Sequence, residues 1–180
     1  MRTLAYQNRY RAKNVALFTL LATAVLGIFN ILINREAISS QFGERTANVL
    51  ILIPGVIFVS AGLYIFYVVV VGLALYFATA ALNSGLDVKK SFAASIRILL
   101  PLPLLTLSDT VGFLVAGGKL ISMGLLGKLS YLPFYVLFFL SALVVLPRYT
   151  DLNAAKTRTL ALILLAAIFL VSFPFGGELF

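Results

Sequence analysis

The stretch LLPLPLLTLSDTVGFLVAGG, residues 99–118, holds the side chains best placed for chemistry. Asp109 lies within one helical turn of three hydroxyls, Thr106, Ser108 and Thr110. Pro101 and Pro103 remove two backbone donors just upstream and free the carbonyls that those donors would have engaged. Gly112 lets a second backbone approach closely. A carboxylate inside an apolar run is costly, and it usually faces a bundle interior or a water-filled cavity. Two kinds of chemistry follow. In one, Asp109 is the titrating ligand of a proton or cation site, with Ser108 and freed carbonyls as neutral partners, as in the broken helices of transporters. In the other, Asp109 is structural. It is then protonated by desolvation or bonded to a tyrosine of the second helix, or it sits near a wet crevice because its own helix is short and dips shallowly.

The rest of the chain offers little further chemistry. There is no cysteine and no histidine, which removes the thiolate, the commonest metal ligand and the commonest general base. The six carboxylates, Glu36, Glu44, Asp87, Asp109, Asp151 and Glu178, are scattered, with no pair at helical spacing. No P-loop, Gly-rich dinucleotide turn or H-E-x-x-H motif occurs. The chain is therefore expected not to be an enzyme and to need no metal or cofactor.

The elements that must position these groups follow from composition. The 180 residues are 62% hydrophobic and 11% charged, with a mean hydropathy of +1.07. Soluble domains are about 45–50% apolar and about 25% charged. Departure in both directions marks an integral membrane protein. Five apolar segments stand out, at about 15–33, 48–80, 98–117, 129–147 and 159–175. Each is about 17 residues or longer, enough for a membrane-spanning helix. Helices are required because an open sheet edge has no hydrogen-bond partner in lipid. The expected fold is all-α: one transmembrane domain over 1–180, a polytopic bundle of five helices. The first segment is too long for a signal-peptide core and no A-x-A site follows it, so it is read as a retained helix.

Charge sets the orientation. Ten basic residues fall on one side: Arg2, Arg9, Arg11 and Lys13, then Lys89, Lys90 and Arg97, then Arg148, Lys156 and Arg158. Four fall on the other: Arg35, Arg45, Lys119 and Lys128. This places the N-terminus in the cytoplasm and the C-terminus outside. The net charge of +8 is thus read as topology signals and headgroup contacts, with no nucleic-acid partner.

Local patterns refine the picture. The second segment, about 33 residues, is longer than a bilayer requires, so it is expected to tilt, project or break near Pro54-Gly55. Tyr64 and Tyr67 fall mid-segment and should face other helices. Small residues at 60–62, with Gly72 and Ala74, suit close helix contact. The glycines at 117, 118, 124 and 127 suit a turn. In NSGLDVKKSFAASIR, Asp87 suits a helix cap, and Val88, Phe92 and Ile96 recur every four residues. That pattern fits a short amphipathic turn at the interface or the plain start of the third helix. Asp151 or Asn153 suits the cap of the last helix.

Two longer stretches, ALNSGLDVKKSFAASIRILLPLPLL and LPRYTDLNAAKTRTLAL, carry a family likeness. A long helix ends in a small-residue turn, followed by a phenylalanine-bearing amphipathic stretch and a helix with a proline near its start. A later helix ends in a proline and a basic-polar segment before the last helix. Phe92, Pro103, Pro147, Asn153 and Lys156 carry the pattern. From about residue 48 to the C-terminus the chain resembles the Yip1-like family of five-helix membrane proteins, in particular its small bacterial members. The acidic-Tyr-Gly-Pro signature of the eukaryotic trafficking members is absent.

The resemblance implies a bacterial cytoplasmic (inner) membrane protein with a scaffold or accessory role. Its expected partners are membrane lipids, a second copy of itself, or a membrane protein such as an exporter or an antimicrobial-peptide resistance system. Lys89, Lys90, Phe92, Arg97, Arg148, Lys156 and Arg158 are the candidate partner and headgroup contacts. The alternative is a small transporter or channel component that uses Asp109, Ser108, Thr106 and Thr110.

Overall fold

The computed structural model describes residues 2–33, 35–36, 49–82, 84–115 and 129–172. Among them it is all-helical, with six α-helices, one 3-10 turn and no strand. The helices are α1 (Arg2–Ile33), α2 (Val49–Ala81), α3 (Val88–Ile98), α4 (Pro103–Val115), α5 (Leu132–Val145) and α6 (Ala154–Ser172). The 3-10 turn, Leu146–Arg148, extends α5. The glycines at 117, 118, 124 and 127, and the basic residues Arg45, Lys119 and Lys128, lie outside the described residues.

Three helices are long and apolar enough to cross a membrane, over Ala12–Ile33, Leu52–Ala81 and Ala154–Val171. A fourth span arises if the bent pair Val88–Ile98 and Pro103–Val111 counts as one. The surface fits that reading. Phe58 is 81% exposed, and Phe18, Val25, Ile65, Leu162 and Leu170 are exposed with it. Small hydroxyl residues such as Thr19, Thr23, Ser60, Thr79 and Thr157 are buried instead. An apolar exterior around small polar residues is how helices pack in lipid, where tails are as apolar as leucine. Most of the buried hydroxyls turn back on their own helix. Thr23 donates to the Thr19 carbonyl at 2.8 Å, Thr79 to Leu75 at 2.8 Å and Thr150 to Leu146 at 2.9 Å.

The helix α2 organises the bundle, packing against α1, α3 and α6. It runs through Pro54 without the break that the Pro54-Gly55 pair suggests. Pro54 is only six residues in from the helix start. Of its small residues, Gly72 admits the Phe92 ring, which would stand 3.1 Å from a Cβ there, while Gly62 has open space beside it. Ser60 lies against Gly27 of α1, 3.5 Å from where its Cβ would be. The core joins Val71 and Leu75 of α2 to Ile98, Leu99 and Leu102, to Phe134 and Phe138 of α5, and to Leu164 and Ile168 of α6.

The largest departure from the sequence reading is in the third segment. A single helix over 98–117 does not form. The helix α3 starts ten residues earlier, at Val88, and stops at Ile98, and α4 begins only at Pro103. The two are bent by 40°. Pro101 has no N–H, and each proline pushes the residue before it out of the helical region. Short turn bonds bridge the gap, Leu102 N–H to Leu99 O and Leu104 N–H to Pro101 O, both 2.9 Å. The break is enclosed on one side, where Ile98, Leu99 and Leu102 are buried, while Leu100 is exposed. The stretch after Asp87 is therefore a true helix of 11 residues. Its inward face is Ser91, Ala94, Ser95 and Ile98, in place of the expected Val88-Phe92-Ile96 stripe. Small residues win that face because α3 lies close to α2, and only Phe92 of the expected stripe finds a recess, at Gly72. Asp87 takes the N-cap position with extended backbone but makes no side-chain capping bond. Gly85, at φ +38°, supplies the left-handed turn between α2 and α3.

Candidate functional site

Asp109 and its neighbours sit on α4, three residues or more beyond the proline break. Position 109 and position 106 share one side of this helix, as residues three apart do. Both border a cleft of about 110 Å³ together with Thr23 of α1, Leu63 and Tyr67 of α2, and Leu102 and Leu105. Asp109 is exposed along this edge. Ser108 points elsewhere. Its hydroxyl lies 2.7 Å from the Ser130 carbonyl and 2.8 Å from the Leu104 carbonyl, one proton serving both. The Ser130 hydroxyl returns the bond, donating to the Ser108 carbonyl at 3.0 Å. Next to this reciprocal pair, the Tyr131 hydroxyl donates to Asp109 Oδ1. Thr110 is buried and bonds back to the Thr106 carbonyl at 3.0 Å.

The arrangement is a clasp. Leu107-Ser108-Asp109 on α4 faces Leu129-Ser130-Tyr131 ahead of α5, and three side-chain bonds join them. It sits at one end of α5, with Tyr131 immediately before the helix and Arg148 at the far end. The fourteen residues of α5 and the three of its 3-10 extension reach about 25 Å. Asp109 is thus level with one end of α5 and with the middle of the α1 and α2 spans, whose Thr23, Leu63 and Tyr67 share its cleft. The tyrosine that bonds to its carboxylate is the residue just before α5 and does not come from α2. Of the two mid-helix tyrosines of α2, Tyr67 borders the same cleft, while the buried Tyr64 hydroxyl has no hydrogen-bond partner among the described residues.

The basic candidates gather at the opposite end of α5. The Arg97 guanidinium, in the last turn of α3, lies 5.3 Å from the ring centroid of Tyr149. Burial pushes the Tyr149 phenol up, against the pull of Arg97 and Arg148. Ser141 of α5 donates to the Arg97 carbonyl at 3.3 Å, so the α3 terminus is tied to α5 as well. Asn153 caps α6 by accepting from the Lys156 N–H at 2.9 Å. Lys156, Asn153, Leu152 and Asp151 line a recess of about 380 Å³ with Leu82 and Ser84 from the end of α2. Lys89, Lys90, Arg148 and Arg158 are exposed. The structure thus brings Arg97 and Arg148 around one ring and sets Lys156 against the α2 terminus. Lys89, Lys90 and Arg158 stand on the surface.

Sequence reasoning missed Ser130 and Tyr131. The signal was the paired tripeptide, Leu-Ser-Asp at 107–109 and Leu-Ser-Tyr at 129–131, polar at matching positions in two apolar stretches. No family model matches the chain, and no curated protein and no solved structure matches it.

Proposed function

We propose that the chain is a non-enzymatic, multi-pass protein of the bacterial cytoplasmic membrane, of the Yip1-like type, which works through its basic end as a scaffold or accessory factor. Five crossings result when the bent pair α3–α4 and the apolar run Leu132–Arg148 each count once beside the three long helices. The N-terminus and the basic end then face the cytoplasm, and the C-terminus faces outward. The observation that carries the reading is Arg97 stacked on Tyr149. It joins α3 to the segment between α5 and α6, so basic residues from separate segments form one held surface. Such a surface suits acidic lipid headgroups and a membrane-protein partner, with an exporter or a second copy as the expected kinds. The clasp supports the complementary statement that Asp109 is occupied in holding α4 to α5.

The test is site-specific photo-crosslinking in native membranes from probes at positions 89 and 156. Discrete adducts are expected, lost in a Lys89→Glu/Lys90→Glu/Lys156→Glu variant and retained in Asp109→Asn. The transporter reading requires the reverse: adducts indifferent to the charge reversals, and an activity that Asp109→Asn abolishes.

A further inference from the structure

The cleft beside Asp109 holds polar groups that the clasp leaves unspent. Tyr131 is the only hydrogen-bond partner of the carboxylate among the described residues, and it engages Oδ1. Oδ2 is left over, and Asp109 is exposed where the cleft opens. Tyr67 borders the same cleft. It is only 7% exposed, and its hydroxyl makes no hydrogen bond among the described residues. Thr106 and Thr23 add two more hydroxyl oxygens to the border, and no lysine or arginine borders it among the described residues.

The depth is that of the middle of the membrane. Thr23 lies near the middle of Ala12–Ile33, and Leu63 and Tyr67 lie near the middle of Leu52–Ala81. Neither bulk water nor a headgroup is at hand there, and a carboxylate is normally met by a group of opposite charge. The hydroxyls of Tyr67 and Thr106 can donate or accept, so they fit either sign, and the charge of Asp109 decides between them. Leu63, which lines the cleft, is itself 48% exposed, so the cleft opens sideways at the lipid-facing surface of the bundle. What arrives from that side at that depth is another transmembrane helix. A second copy of this chain is a poor source of the cation. Its three long spans carry no lysine or arginine except Lys13, Lys156 and Arg158, all close to a span's end, and Arg97 lies over Tyr149 at the far end of α5. A cleft of about 110 Å³ takes the end of one long side chain, with methylenes against Leu63, Leu102 and Leu105 and an ammonium at Asp109 Oδ2. We propose that the Asp109 cleft docks a transmembrane helix of a different protein through a lysine at the middle of that helix. The cleft is apart from the basic end, so this docking and the reading of that end can fail separately.

The full chain, fluorescently labelled, is reconstituted in phosphatidylcholine vesicles with a labelled leucine-rich transmembrane peptide as the probe. The peptide carries lysine, glutamine or leucine at its central position, and energy transfer reads association. The lysine peptide is expected to bind wild type about tenfold more tightly than the leucine peptide. Asp109→Asn still accepts the Tyr131 hydroxyl, so the clasp and the helical circular dichroism persist while that preference is lost. Thr106→Leu fills the cleft without touching a clasp bond and is expected to give the same loss. Equal binding of the lysine and leucine peptides by wild type, or an unchanged preference in either variant, overturns the proposal. So does glutamine binding as tightly as lysine, which makes the cleft a site for neutral hydrogen-bonding groups. Energy transfer between two labelled copies of this chain that the peptide displaces, and that Asp109→Asn removes, overturns it in favour of self-association.

Discussion

The two ends of α5 are held by different means. At the Tyr131 end, two tripeptides exchange three hydrogen bonds, and the one carboxylate is engaged by a phenol from the neighbouring helix. At the Arg148 end, a guanidinium lies over a ring and a helix is capped by Asn153. Polar groups in an apolar medium must satisfy one another, because water is not there to do it. Charges at a headgroup surface have no such need, and Lys89, Lys90 and Arg158 stand exposed. The clasp therefore spends its polar groups internally, while the basic end leaves most of its charge free to act on something else.

The contrast breaks most visibly at Gly72. Phe92 lies so close that a Cβ would meet three ring carbons at 3.1–3.3 Å. Gly72→Leu is expected to push α3 off α2 and cost about 1–3 kcal/mol, as overpacking does. Gly62 sits on the same helix with open space beside it, and Gly62→Leu should cost nothing measurable. Unfolding in mixed micelles reads both. Equal losses would mean that α2 tolerates no bulk anywhere and that the Phe92 recess has no special part.

The clasp comes next. Tyr131→Phe removes the donor to Asp109 while keeping the ring, and the expected loss is about 1–2 kcal/mol in the same assay. Asp109→Asn should be milder, since its amide oxygen still accepts. Ser108→Ala and Ser130→Ala are each expected to cost about 0.6 kcal/mol, the usual scale for a hydrogen bond between membrane helices. The double variant should cost less than the sum, because the two bonds close one ring of contacts. Additive losses would show two independent bonds and no clasp.

Legibility in the sequence followed the same divide. Long apolar runs need only length and hydropathy, so α2 is read to within a residue at each end. The last helix begins five residues before its apolar run, because Asn153 caps it ahead of Lys156 and Arg158, polar residues that hydropathy ignores. The third segment was misread for a related reason. Hydropathy runs straight through Leu99–Leu102, while the backbone answers to Pro101 and Pro103, and the polar stretch before it folds as α3. Asp109 was found because a charge in an apolar run stands out. Its partner Tyr131 did not, because tyrosine is ordinary in such runs, and a contact 22 residues away depends on how α4 and α5 turn toward each other. Arg97 and Arg148 were singled out by charge, but the ring that gathers them, Tyr149, carries no signal beyond its place beside Arg148.

That ring gives the smallest expected effect and the finest test of how the basic end is built. A cation over an aromatic face at a partly exposed site contributes about 0.5–1 kcal/mol. Tyr149→Phe keeps the face, so stability and the crosslinks from position 89 should both stay at wild-type levels. Tyr149→Leu keeps bulk but loses the face, and is expected to cost about 0.5 kcal/mol and to weaken the crosslinks, since Arg97 no longer ties α3 to the α5–α6 segment. Tyr149 is half-buried, so the measurement must separate lost packing from lost stacking. Arg97→Gln does this: if stacking is what matters, Tyr149→Leu has no further effect once Arg97 is gone. If Tyr149→Leu costs as much in that background, the ring serves only as filling between α3 and the turn after α5. The basic residues would then be neighbours by topology alone, with nothing holding them as one surface.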